Sequence, residues 1–181
     1  MTGWRGLAFC RFVFFGRVVC FVSLGIVATS DPDPLALCLD QYEVSIPSVV
    51  VTELKEIASY DDIHARGATT VLDRTDEFEI RPVELDARFP LDDGENAAVS
   101  LSNETDTALL LCDEFNQLGL IHASLADTRL VTTPTLLSIL VQTEHLSGSD
   151  ARTLLEQISE ARSWDENSYV ERARSLLQKT N

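Results

Sequence analysis

The chain has 181 residues, 45% of them hydrophobic, with 29 acids against 14 bases and a formal charge of -15. That length favours one domain with a sizeable core over several, and that charge excludes a surface that attracts polyanions at low salt. Only Lys55 and Lys179 are lysines, the other 12 of the 14 bases being arginines. An acid-rich, lysine-poor surface suits a high-salt cytoplasm, where screening removes the self-repulsion, so the chain reads as halophilic and cytoplasmic.

The segment "MTGWRGLAFCRFVFFGRVVCFVSLGIVATS" stands apart, because no acid occurs before Asp31. Arg5, Arg11 and Arg17 punctuate its apolar residues, and its longest clean apolar stretch, Val18 to Ala28, is too short to span a bilayer. Three readings stay open. "RVVCFVSL" has the β-branched and aromatic content of a buried first strand; the same stretch has the length of a signal-peptide core, with Ala28-Thr29-Ser30 as a cleavage site; or residues 1–30 are a non-native leader. Membrane attachment is not favoured.

"SDPDP" starts a helix with Asp33 as N-cap and Pro34 at the first helical position, running to about Gln41. "YEVSIP" is a short strand ended by Pro47. "SVVVTELKEIASY" carries apolar residues at Val50, Leu54, Ile57 and Ala58, a helical spacing capped by Ser48. "DDIHARGATTVLDR" is a further helix, weakened by Gly67, and "FEIRPVEL" alternates as a strand does. A helix follows over roughly 93–103. "TALLLC" is a continuous apolar run, as expected of a strand covered on both faces. "TRLVTT" is one more strand, and "PTLLSILVQTEHL" a helix with Pro134 at its first position. "SGSDARTLLEQISEAR" and "DENSYVERARSLLQ" are amphipathic helices divided near Trp164. Strands alternating with helices imply an α/β sandwich with a mostly parallel sheet.

The four cysteines, Cys10, Cys20, Cys38 and Cys112, form no CxxC pair, and His64, His122 and His145 lack zinc-ligand spacing with them. A reduced, intracellular chain without structural zinc follows. No glycine-rich phosphate loop is present; "GENAAVSLS" is neither a Walker nor a dinucleotide motif.

In parallel α/β sheets ligands bind outside the carboxyl ends of the strands, which directs attention to three groups of acids: Glu53 after "IP", Asp92, Asp93 and Glu95 at a helix start, and Asp113 with Glu114 after "ALLLC". In order, "IPSVVVTEL", "LDDGENAAVSL", "ALLLCDEF" and "TTPTLLSIL" resemble a PIN domain, the nuclease fold of VapC-type toxins and related RNA-processing enzymes. The resemblance covers about Leu39 to Leu146, and the last helices are similar to the C-terminal extension of archaeal PIN-like proteins. It implies a three-layer α/β sandwich, with residues 1–30 as an atypical N-terminal segment, 31–146 as the PIN-like core and 147–181 as a helical extension of the same domain. It implies an acidic pocket binding Mg²⁺ or Mn²⁺, with Glu53, Glu95 and Asp113 as catalytic ligands and Asp93 and Glu114 as substitutes if the register shifts. It further implies cleavage of RNA phosphodiesters, an antitoxin protein as candidate partner and a homodimer as candidate assembly. Hard carboxylate oxygens suit these ions, and carboxylates packed together repel one another without a cation.

The family's first-strand aspartate, in the pattern D-[TS]-x-x-[LFV], aligns near Gly16 or Arg17, where this sequence has no acid. Arg17 in that place would itself counter two or three carboxylates, and a PIN-fold protein that has lost catalysis and serves as a binding or regulatory module is the competing expectation. Each acid also has a plainer reading. Asp92 is best read as a helix cap, Glu95 serves equally as first-turn stabiliser or ligand, and Glu53 could lie on a solvated face. Thr133 reads as a helix start, and Trp164 and Tyr169 as packing for the last helices.

Overall fold

The computed structural model describes residues 11–14, 19–164 and 166–178. The fold is mixed α/β with parallel strands. Among the described residues, β1 (Arg11–Phe14), β2 (Glu43–Pro47), β3 (Glu79–Arg81), β4 (Leu109–Leu111) and β5 (Arg129–Val131) form a sheet in the order β3-β2-β1-β4-β5, every pair parallel. The register matches Phe12 with Val44 and Leu109, and Leu110 with Leu130.

The connections are helical: α1 (Val19–Ile26) and α2 (Pro34–Gln41) before β2, α3 (Ser48–Ala58) and α4 (Ile63–Leu72) before β3, α5 (Asp93–Glu104) before β4 and α6 (Leu118–Ser124) before β5. After β5 come α7 (Thr133–Gln142), α8 (Gly148–Arg162) and α9 (Ser168–Leu177). Parallel strands need such crossovers, because a tight turn can only reverse the chain.

The expected first strand lies in the N-terminal segment but earlier than "RVVCFVSL", whose last six residues begin α1. A short, continuous apolar run fits a buried helix as well as a buried strand, and here Phe21, Val22 and Leu24 are all buried. The helix weakened in sequence by Gly67 is α4, and the glycine has a packing reason. A Cβ on Gly25 of α1 would stand 2.2 Å from the Gly67 carbonyl oxygen, so the two helix backbones touch there. Asp33 caps α2 by accepting the Leu35 and Ala36 amides at 2.9 and 3.1 Å, as its spacing to Pro34 led one to expect. Ser48 does not cap α3. It is the first helical residue, and the N-cap position is Pro47, which makes no side-chain cap bond. The strand expected over "FEIRPVEL" is cut to Glu79–Arg81, because Pro82 has no N–H to continue a ladder. The sequence pattern does not announce α6, since only Leu118 and Ile121 bury side chains in it.

Leu109 and Leu111 of β4 belong to one apolar cluster, with residues of α1, α3 and α7 to α9, while Leu110 belongs to another with Ala98, Val99, Leu101 and Ile121. Successive strand side chains point to opposite faces, so apolar side chains cover β4 from both sides, as "ALLLC" suggested. At the C-terminus, Arg174 of α9 donates to both carboxylate oxygens of Glu156 in α8, at 2.9 and 2.6 Å. No helix among the described residues is long and apolar enough to cross a membrane.

Candidate functional site

The chain leaves β1 toward β2 and β3 on one side and later fills β4 and β5 on the other, so strand order reverses between β1 and β4. A crevice outside the carboxyl ends of the strands opens at such a reversal. Asp113 follows the end of β4 by two residues, and Glu53 lies in α3, which begins where β2 ends. The two acids therefore stand at the same edge of the sheet. The position that the sequence pattern assigns to a first-strand acid, Gly16 or Arg17, lies outside the described residues.

Asp113 is 4% exposed. Its Oδ1 accepts the Thr133 amide and its Oδ2 the Thr133 hydroxyl, each at 2.7 Å. Thr133 is the first residue of α7, with Thr132 as N-cap and Pro134 second, so Asp113 ties the end of β4 to the start of that helix. The expected place of Pro134 at the first helical position is thus shifted by one; the amide that proline would lack is the one Asp113 holds. Burial raises the Asp113 carboxyl to about 6, against the opposing pull of Thr133, Arg162 and Ser23, which favour its charged form.

The start of α5 is a reciprocal cap. Asp92 Oδ1 accepts the Glu95 amide at 2.8 Å and Glu95 Oε2 accepts the Asp92 amide at 3.4 Å. Asp92 is the cap that its spacing suggested. Glu95 fills the stabilising role while fully buried, and burying a carboxylate is costly unless it is partnered. Asp93 is exposed on the first turn, away from the burial that Glu95 and Asp113 share. A side-chain clamp fixes the approach to this turn: Asn96 Oδ1 accepts the Asp86 amide at 2.7 Å and Asn96 Nδ2 donates to the Asp86 carbonyl at 2.8 Å.

Glu53 reaches the same turn from α3. A Cβ on Gly94 would stand 2.8 Å from Glu53 Oε1 and 2.9 Å from Oε2, so the carboxylate lies against the α5 backbone in the gap that glycine leaves. There it also meets the positive end of the α5 dipole. Cys112 connects Glu95 with the β4 acids. Burial pushes its thiol up, the Glu114 amide donating to its sulfur at 3.3 Å opposes this, and the charges of Asp113, Glu95 and Glu114 push it further up.

The charges of Glu95, Asp113 and Glu114 all act on the Cys112 thiol, and Glu53 lies against the residue preceding Glu95. Their donor chemistry, oxygen only, fits a hard divalent cation. Among the described residues, however, no group of three or more His, Cys, Asp or Glu is arranged to hold a metal ion. Sequence reasoning missed Gly94, Ser23 and Arg162. Arg162 closes α8, far along the chain, and no local pattern links it to Asp113. The same region holds an aromatic cluster: Phe115 meets Trp164 edge-on, centroids 5.1 Å apart, and stacks on Tyr169 at 5.4 Å. No family model, curated protein or solved structure matches this chain.

Proposed function

We propose that this chain is a PIN-like endoribonuclease in which Glu53, Glu95 and Asp113 hold Mg²⁺ or Mn²⁺, with Asp93 and Glu114 at the margin of the site. What supports the reading is that acids of α3, of the start of α5 and of the end of β4 lie toward the carboxyl edge of a parallel sheet, beside its reversal of strand order, with Glu53 against the first turn of α5. Apolar cover on both faces of β4 supports a three-layer PIN-like sandwich. When bound, a divalent cation supplies Lewis-acid neutralisation of phosphate charge and lowers the pKa of water. The chain's own contribution is positional. Thr133 fixes Asp113 through both carboxylate oxygens, and the missing side chain of Gly94 lets Glu53 approach α5. An RNA strand is then the substrate, with an antitoxin protein and a second copy of the chain as candidate partners.

A second reading, a PIN-fold binding or regulatory protein without catalysis, is favoured by two observations. Both Asp113 oxygens are already engaged by Thr133, and the sequence has no acid before Asp31. Glu95→Gln separates the two. Glutamine keeps an acceptor for the Asp92 amide, so the capped turn survives and only the charge is lost. The nuclease reading expects Mn²⁺-dependent RNA cleavage in concentrated KCl that falls by at least roughly a hundredfold in the variant, as loss of a charge-stabilising group does. Absence of cleavage with any divalent ion, together with no calorimetric heat of Mn²⁺ binding, would leave only the second reading.

A further inference from the structure

We infer that the outer edge of β3 pairs antiparallel with the same edge of a second copy of this chain, on a two-fold axis through Ile80. Among the described residues β3 has a strand on one side only, β2. Their register sets Ser45 beside Glu79, Ile46 beside Ile80 and Pro47 beside Arg81. A parallel ladder that used the Ile80 N–H and C=O toward β2 would need the Pro47 nitrogen as a donor, and proline has no N–H. Glu79 and Arg81 therefore turn their backbone groups to β2, and Ile80 turns its N–H and C=O to the open edge. On one face of the sheet, a row of side chains runs from Ile46, fully buried, to Ile80, which is 41% exposed. On the other face, the Ser45 hydroxyl donates to Glu79 Oε2 at 3.4 Å, and Arg81 stands beside Glu79. Both rows end at the open edge.

A second copy continues both rows. In an antiparallel pair centred on Ile80, the two isoleucines exchange both backbone hydrogen bonds and their side chains meet. The same register puts Glu79 of each copy opposite Arg81 of the other, so "EIR" is complementary to itself. Other registers set Glu79 against Glu79, set Arg81 against Arg81, or leave both charges unmatched. Within one copy the two charges lie 3.4 Å apart, with side chains 59% and 39% exposed. Such a surface contact contributes little, so both groups are available across the axis. Pro82 removes the next donor and confines the pairing to the three residues of β3. A two-fold contact uses both β3 edges, so it closes at two copies. The charge of -15 on each copy opposes the approach. That repulsion acts across the molecule, beyond the screening length, whereas a cross-strand pair lies within it, so moderate salt removes the first and keeps the second.

A test with no RNA and no metal keeps this edge separate from the nuclease reading, on which it does not rest; neither outcome bears on cleavage. Sedimentation velocity of the full chain at about 0.15 M KCl, where the screening length is ~8 Å, is expected to show a dimer whose share grows with protein concentration. Glu79→Arg and Arg81→Glu each set like charges opposite one another twice per dimer and should weaken it by roughly tenfold. An equimolar mixture of the two variants should associate as the parent does, because each presents the complement of the other. Net charge alone predicts otherwise: Glu79→Arg makes the chain less acidic and would tighten a dimer opposed only by overall repulsion. Circular dichroism verifies that each variant is folded. A parent that stays monomeric at the highest concentration reached overturns the inference. So does a dimer that either single variant leaves intact, or a pair of weakened variants whose mixture does not recover association.

Discussion

Asp113 takes both hydrogen bonds of one threonine and still sits with its carboxyl raised to about 6, because loss of water around a buried charge outweighs the donors that favour it. The sign of the linkage follows. An acid whose pKa is higher in the folded than in the unfolded state, about 6 against 3.8, binds more protons when folded, so it costs stability as pH rises through that window. Asp113→Asn removes the cost and keeps both contacts, since an amide oxygen accepts the Thr133 N–H and the amide nitrogen can donate to the Thr133 hydroxyl. With a chelator present, the stability of Asp113→Asn relative to the parent should rise between pH 4 and pH 7 by on the order of 1–3 kcal/mol, read from urea unfolding. A difference that is flat across that range would show that Asp113 is not the buried, raised acid described. Glu95 teaches the complementary lesson. Its capping partner lies three residues away and is legible in "DDGE", but its full burial depends on α3 and the sheet packing against α5.

Helix pairing turns on two glycines with opposite meanings. At Gly25 a methyl group would meet the Gly67 carbonyl oxygen at 2.2 Å, an atom of backbone that cannot rotate away. Gly25→Ala must therefore push α1 off α4, at a cost of about 3 kcal/mol for overpacking, or roughly 6–12 °C in the melting temperature of a chain this size. Gly119 in α6 has nothing within 4 Å of such a methyl. There the same substitution should stabilise by about 0.5–1 kcal/mol, through helix propensity alone. Differential scanning calorimetry of the two variants should give shifts of opposite sign; two shifts of the same sign would refute the close approach of α1 and α4. In sequence neither residue stands out, because the contact that gives Gly25 its role joins positions 42 residues apart.

Over the whole molecule, 29 acids against 14 bases make the native state repel itself where salt is scarce. The screening length falls from ~10 Å at about 0.1 M salt to ~3 Å at about 1 M, so the melting temperature should climb steadily with KCl across that interval, and sucrose at matched osmolality should give a smaller rise. A melting temperature indifferent to KCl would remove the halophilic reading of the composition.

Local chemistry alone determined much of this protein: the Asp33-Pro34 start of α2, the capped turn at Asp92, the apolar run of β4, the two amphipathic C-terminal helices, and the order of acids along the chain. Each is written within a few residues, where capping, periodicity and proline act. The sequence left "RVVCFVSL" open between a first strand and a signal-peptide core and did not offer the helix that its last six residues begin, because an element apolar on every side has no period to read. It could not say that Gly94 makes room for Glu53, that Thr133 rather than solvent satisfies Asp113, or that Phe115 meets Trp164 and Tyr169. Those pairings join residues 20 to 54 positions apart. They arise only when the parallel sheet brings the ends of β2 and β4 to one edge, where burial and hydrogen bonding, not sequence spacing, set the character of each group.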